Sequence, residues 1–230
     1  YLRIPVAHVE AGLRTGNNYS PWPEEGNRRL IAALTRFHFA PTEEARGNLL
    51  REGIDAADIY VTGNTVVDAL VDMKNRFAQE ASLQRDKAQE FLYLDSDRRL
   101  ILVTSHRREN FGDIMNGICQ ALRNIVAAHP DVELVYPVHL NPRVRAPVFD
   151  ILAGGEDSVA NRIHLIEPVD YISFVYLMMR AHIILTDSGG VQEESPSLGV
   201  PTLVMRDTTE RPEAVQAGCA RLVGTDEDVI

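Results

Sequence analysis

The stretch TSHRRENFG, residues 104–112, ends an apolar run with a histidine and two arginines. A buried strand usually gives way to small turn residues. His106, Arg107 and Arg108 at this point suit an anion instead, with an imidazole able to give or take a proton near neutral pH. The plainer reading is a solvated loop in which Asn110 caps the next helix. A second stretch, TDSGGVQEE (186–194), puts Ser188, Gly189 and Gly190 where the strand HIIL turns into a helix. Small residues let backbone amides approach a phosphate, and a helix N-terminus carries partial positive charge. Glu193 and Glu194 come a turn later, where a carboxylate suits the two hydroxyls of a ribose. The alternative is a glycine turn with an acidic first helical turn. The chain has neither a Walker loop nor a GxGxxG fingerprint, so a nucleoside diphosphate without a nicotinamide fits better than a dinucleotide.

Two further places carry charge at strand ends. In RDTTERPEAVQAG, Arg206 and Arg211 flank a threonine-rich turn after the strand TLVM. Basic and hydroxyl groups there suit phosphate or sugar oxygens, or else make an ordinary surface turn. In the front segment Glu10 ends a strand in HVEAGLRT, and Glu24 opens the helix of PWPEEGNRR with Arg28 four residues on and on the same face. Glu24 and Glu25 either complement the helix dipole or join Glu10 and the arginines across a cleft for acid–base work. His38, His129, His164 and His182 lie in strands or at helix ends and read as structural. His139, in YPVHLNP, ends a strand on the ligand side and is a second-tier candidate. No His/Asp/Glu cluster has metal spacing, and no GxSxG elbow occurs.

The elements that must position these groups are legible. Apolar strands alternate with helix-length amphipathic stretches, the pattern of a parallel sheet covered on both faces. The front segment reads as a strand over 3–9, a helix over 20–37 with apolar face Leu30, Ile31, Leu34 and Phe37, a strand FHFAP, a helix capped by Thr42 and stopped by Gly53, a strand DIYVTGN, and a helix from Thr65. Residues 81–98 are charged and weakly periodic. From there six strands (RLILVTSH, VELVYPVH, RIHLIEP, HIILTD, PTLVMRD, ARLVG) alternate with helices, the first with Ile114, Ile118, Leu122 and Ile125 on one face. The fold class is α/β: residues 1–64 as the back part of one Rossmann-like domain and 65–230 as a second, doubly wound one. Ligands of such sheets bind outside the carboxyl ends of the strands, where all four charged places fall.

With 230 residues, 45% hydrophobic and 24% charged, the chain can bury a real core. A net charge of −10 argues against nucleic acid, so an anion would need a local basic cluster. No apolar run approaches the roughly 18–20 residues of a membrane span. Cys119 and Cys219 are expected to be buried, reduced thiols of a cytoplasmic protein. The chain opens almost inside a strand and closes on TDEDVI, which resembles a first helical turn, so it reads as an internal piece of a longer protein.

HVEAGLRT, SPWPEEGNRR, TSHRRENFG, YPVHLNP, TDSGGVQEE and RDTTERPEAV together resemble the non-hydrolysing UDP-N-acetylglucosamine 2-epimerases of bacteria. The six motifs keep the family's order over residues 8–215. The resemblance implies a GT-B-like architecture of two Rossmann-like domains with the nucleotide sugar in the cleft between them. It implies conversion of UDP-GlcNAc to UDP-ManNAc with no cofactor and no metal, by anti elimination of UDP through 2-acetamidoglucal and re-addition. It makes Glu10 and Glu24 the carboxylates of proton transfer at C2 and His106 the contact to the leaving phosphate. Ser188, Gly189 and Gly190 become the diphosphate cradle and Glu194 the ribose carboxylate. Arg28 and Arg211 bind substrate, and Phe174 packs near uracil. A third catalytic acid of the family lies on a segment this chain does not contain. The resemblance further implies a cytoplasmic homodimer serving cell-surface polysaccharide synthesis, with UDP-GlcNAc itself as an allosteric ligand near HRRE and His139, and no nucleic-acid or membrane partner. The rivals are the hydrolysing epimerases, which release ManNAc and UDP, a GT-B glycosyltransferase, and an inactive sugar-nucleotide sensor. The paired carboxylates favour epimerisation, because a transferase needs no proton transfer at C2.

Overall fold

The computed structural model describes residues 3–154 and 158–230. The chain forms two compact units, Tyr1–Asp68 with Thr208–Arg211, and Ala69–Asp207 with Pro212–Ile230.

The first unit carries a parallel three-stranded sheet in the order β1-β2-β3, made of β1 (Ala7–Val9), β2 (Phe37–Ala40) and β3 (Ile59–Val61). The first strand is shorter than the expected 3–9. Helix α1 spans Glu24–Leu34, inside the expected 20–37, and starts after Pro23, with Glu24 and Glu25 complementing the positive end of its dipole. Its inward face is not the predicted one. Glu25 and Ala32, seven residues apart and so on one side, are buried, while Leu30 and Leu34 are 70% and 77% exposed and Ile31 and Phe37 are also outside. The helix turns Glu25 and Ala32, and not the apolar stripe, toward this unit's own core. Helix α2 (Glu43–Arg51) behaves as read: the Thr42 side chain accepts from the Ala45 N–H, and Gly53 follows with φ +84°. Ala11, Ala32, Ala40, Ala45, Leu49 and Ile59 form this unit's small core.

Helix α3 (Thr65–Gln79) leads into the second unit, and residues 81–98, unassigned from sequence, contain helix α4 (Ala81–Glu90). No residue of α4 is buried, which is why its sequence shows no stripe. The strands β4 (Arg99–Thr104), β5 (Val132–Pro137), β6 (Ile163–Ile166), β7 (Ile183–Thr186), β8 (Thr202–Val204) and β9 (Ala220–Leu222) form one parallel sheet. Helices α5 (Asp113–Ala128), α6 (Pro142–Leu152), α7 (Tyr171–Arg180), α8 (Gly189–Leu198) and α9 (Pro212–Gln216) alternate with them. On α5 the buried stripe is Met115, Ile118, Cys119, Leu122 and Val126; Ile114, expected inward, sits in the exposed first turn. The terminal TDEDVI closes a turn through the Ile230 N–H to the Asp226 carbonyl.

The strand order is β6-β5-β4-β7-β8-β9. The chain winds outward from β4 in one direction, then returns to β4's other side and winds outward in the opposite one. The crossovers leaving β4 and β7 therefore diverge and open a crevice at the carboxyl ends of these two strands, where doubly wound sheets bind ligands. Apolar layers cover both faces, one around Ile118, Leu134 and Val148, the other around Leu70, Leu102 and Leu177. Cys119 is buried as expected and its thiol is pushed up to about 12 by that burial; Cys219 is exposed, contrary to expectation, because it lies in the loop between α9 and β9.

Candidate active site

In the second unit the residues after β4 and β7 meet at the divergence point. Thr104 and Thr186 stand opposite each other in register, with their hydroxyl oxygens 2.6 Å apart. One residue beyond Thr186 lies Asp187, fully buried. Its Oδ2 accepts from the Ser105 hydroxyl (2.9 Å), the His106 and Arg107 backbone N–H groups (2.9 Å each) and the Asn110 side-chain amide (3.0 Å). Ser105 is held from behind, its carbonyl accepting from the Tyr136 hydroxyl at 2.9 Å. This one carboxylate folds the loop 105–110, so Asn110 serves Asp187 and not the cap of α5. Asp187 escaped the sequence reading. In TDSGG it looks like one more turn residue, and its partners lie some eighty positions away.

His106 stands at the rim, with its side chain 42% exposed. Its Nδ1 lies 3.3 Å from Asp187 Oδ1, and its ring stacks on that of His139 at 5.7 Å between centroids and 21° between planes. The structure thus brings the second-tier histidine onto the first. Burial holds the His106 imidazole below its ordinary value; Asp187 opposes this, and Arg107 and His139 add to it. Arg206, a candidate phosphate group, is buried with its Nε 3.4 Å from Glu109 Oε1 of the same loop.

Ser188, Gly189 and Gly190 lie where expected, at the N-terminus of α8. Ser188 donates its N–H to Thr186 Oγ1 at 2.9 Å, turning the chain sharply off the strand. A side chain at Gly190 would enter the space between Ser188 Oγ and Glu194 Oε2, at 4.0 and 3.9 Å. The Ser188 hydroxyl and the Glu194 carboxylate thus stand on either side of Gly190 at the N-terminus of the helix. Glu194 is 7% exposed, and burial, then Glu193, raise its carboxyl above the usual range. Phe174, on α7, is partly buried against the core layer of Leu177 and Val191. Of the histidines read as structural, His38 is buried in β2, and His164 Nε2 lies 3.2 Å from the buried Glu133 Oε2.

In the first unit Glu10, directly after β1, has φ +62°, a left-handed backbone rare outside glycine. Strain of this kind, roughly 1–3 kcal/mol, collects at functional positions. Arg28 Nη2 lies 3.6 Å from Glu210 Oε1, and Arg211 Nη1 donates to the same oxygen at 2.7 Å. Glu210, fully buried as a side chain, thereby gathers both candidate substrate arginines. His8 is held below its ordinary value by burial, then by His38, Arg14 and Arg28. Glu24 and Glu25 sit in different surroundings although they are neighbours. Glu24 is half-buried, whereas the Glu25 carboxylate is sealed and accepts from the Thr15 and Gly16 N–H groups at 3.1 and 3.2 Å. Among the described residues no group of three His, Cys, Asp or Glu side chains is arranged to hold a metal ion, and no helix is long and apolar enough to cross a membrane.

Two parallel α/β sheets, the larger doubly wound with a small-residue helix start at its divergence point, place the chain in the GT-B-like class of the solved structures it resembles. Comparison with known proteins narrows this. The profile of the UDP-N-acetylglucosamine 2-epimerase family matches residues 1–230, and the chain belongs to that family. A probable UDP-N-acetylglucosamine 2-epimerase of Ralstonia nicotianae is 60% identical over 230 residues, which cover 100% of this chain and 60% of the relative. The UDP-N-acetylglucosamine 2-epimerase of Salmonella typhimurium is 58% identical over 226 residues, 98% of this chain and 59% of its own length. The crystal structure of UDP-GlcNAc 2-epimerase from Neisseria meningitidis bound to UDP-GlcNAc superposes with a TM-score of 0.94 at 50% identity, over 100% of this chain and 60% of that one. The chain therefore spans about 60% of the length of these relatives.

Proposed function

We propose that the protein acts in the interconversion of UDP-GlcNAc and UDP-ManNAc without hydrolysis. The observation that carries this is the construction at the β4/β7 divergence: an imidazole, a helix N-terminus with Ser188, Gly189 and Gly190, and the buried Glu194, the groups a nucleoside diphosphate requires. C2–H of the sugar is not beside a carbonyl. Its proton is removable only as the C1–O bond breaks, so the site must take up charge on the departing diphosphate. His106 and the amides at the start of α8 supply that stabilisation. Glu194 accepts from the ribose hydroxyls, and Phe174 packs near uracil. Glu10 and Glu24 exchange the C2 proton, one on each face of the ring, and Arg28 and Arg211 hold the substrate. Elimination gives 2-acetamidoglucal and UDP; re-addition with protonation from the other face inverts C2. The reading includes a homodimer in the cytoplasm, UDP-GlcNAc as an activating second ligand near His139, and a product destined for cell-surface polysaccharide.

The test is product identity. UDP-GlcNAc is incubated with the chain and with its counterpart at the relatives' full length, and the anomeric protons are followed by NMR. UDP-ManNAc at a stable ratio to UDP-GlcNAc is expected from the full-length protein. Free ManNAc with stoichiometric UDP would replace this reading by the hydrolysing one, and unchanged UDP-GlcNAc would remove the epimerase assignment.

A further inference from the structure

We propose that Asp187 is a positioning residue that fixes which nitrogen of His106 carries a proton and lets the ring become a cation when an anionic diphosphate reaches it. The inference rests on the reading above, in which His106 meets that diphosphate.

The two oxygens of the Asp187 carboxylate divide the labour. Oδ2 receives four donors, from Ser105, His106, Arg107 and Asn110, at 2.9–3.0 Å. Oδ1 is equally buried and accepts from none of the described residues, which is costly for a buried acceptor. The His106 Nδ1 is 3.3 Å away. A small rotation of the ring converts this approach into an Nδ1–H···Oδ1 hydrogen bond. The neutral ring then carries its proton on Nδ1 and leaves the Nε2 lone pair free. A lone pair cannot donate to a phosphate oxygen. When the diphosphate arrives, Nε2 takes a proton from solvent and donates it into a charge-assisted hydrogen bond, while Asp187 balances the imidazolium. The groups around the ring are Asp187 from the end of β7, Arg107 from its own loop and His139 from beyond β5. Burial disfavours the cation most, Arg107 and His139 add to this and Asp187 alone opposes it, so a ring half covered in this crevice gains its proton more readily when an anion sits against it.

Asp187→Asn separates this role from loop folding. The four donors at Oδ2 demand an oxygen there, so the new NH2 must face His106 Nδ1. The amide then donates to Nδ1, the neutral ring carries its proton on Nε2, and the imidazolium is disfavoured. The experiment is long-range 1H–15N NMR of the histidine rings in wild type and Asp187→Asn, with UDP-GlcNAc affinity measured between pH 5.5 and 8. UDP-GlcNAc has no phosphate that titrates in this range. The wild type is expected to show the Nδ1–H tautomer, a His106 midpoint that UDP-GlcNAc raises, and a Kd that weakens by up to roughly tenfold per pH unit above the free midpoint. Asp187→Asn is expected to show Nε2–H, a lower midpoint and a Kd nearly independent of pH. In a His106→Gln background the same substitution should no longer change the pH dependence, a result that general loosening of the loop would not give. An Nε2–H tautomer in the wild type overturns the proposal even if the variant fails to fold, as does an unchanged tautomer in Asp187→Asn. Failure of both proteins to bind UDP-GlcNAc while the ring signals change as expected would overturn the functional reading and leave the Asp187–His106 coupling standing.

Discussion

Glu25 offers a sharp separation of structure from chemistry, because Glu24 beside it is assigned to the reaction and Glu25 is not. The Glu25 side chain is fully buried and accepts from the backbone N–H groups of Thr15 and Gly16, and from Arg29 at 3.2 Å. Each backbone bond to a buried carboxylate contributes about 1.5 kcal/mol, the low end for charged acceptors in a partly buried loop. Arg29 is 42% exposed, so solvent screening leaves its pair with Glu25 at most about 0.5 kcal/mol. Glu25→Ala should then cost about 3–3.5 kcal/mol. Glu25→Gln keeps one acceptor and turns a donor toward the other N–H, for about 2 kcal/mol. Native-state hydrogen exchange reads these bonds at the amides concerned. Thr15 and Gly16 protection should fall by about a hundredfold in Glu25→Ala, since 1.4 kcal/mol is a factor of ten. Glu24→Gln should leave both amides protected. Unchanged protection in Glu25→Ala, or equal losses in the two variants, would refute the assignment of separate roles to the neighbouring carboxylates.

Glu194 should trade stability against binding. Burial raises its carboxyl, so the folded state favours the neutral form; the stability this gives is complete at low pH and is lost as pH rises through the raised value. Glu194→Gln should therefore raise Tm at pH 7, converge with wild type below about pH 4, and weaken UDP binding; a lower Tm at pH 7 would contradict this. Gly12 has φ +88°, and a Cβ there would lie 2.1 Å from the Ala45 carbonyl oxygen. Gly12→Ala should cost about 1–2 kcal/mol in urea unfolding from backbone strain and more from the clash, and a neutral result would contradict the close approach of this turn to α2. Of the two cysteines, Cys219 should react with iodoacetamide in the native protein and Cys119 only after unfolding, as peptide mass spectrometry would report.

Much of this fold is legible in sequence because its strands are buried on both faces. Continuous runs such as LILV and HIIL, each followed by an amphipathic stretch, have few other readings. The places after the strands were legible for the same reason, and His106, Ser188, Gly189, Gly190 and Glu194 lie around one divergence point. What was not legible depends on strand order. Asp187 gains its meaning only when β7 lies beside β4, which sets it against Ser105 and Asn110. Sequence offers one weak signal, an acidic residue at the end of an apolar run where a turn needs only small ones. Glu24 and Glu25 are indistinguishable in sequence because each complements the helix dipole; only the rotation of α1 separates them. That rotation was misread because Leu30, Ile31 and Leu34 form a convincing stripe, yet the buried positions are Glu25 and Ala32. Helix α4 is not legible because it fully buries no residue and rests only Leu83 on the core, so periodicity carries little information.

The central claim is that the chemistry is elimination and re-addition at C2. It is tested most directly by running the full-length counterpart of the chain with UDP-GlcNAc in heavy water and following C2 by NMR and mass spectrometry. The account predicts UDP-ManNAc bearing deuterium at C2, deuterium appearing in the recovered UDP-GlcNAc at a comparable rate, and loss of both in Glu10→Gln and Glu24→Gln. UDP-ManNAc formed with its C2 proton fully retained would contradict the account.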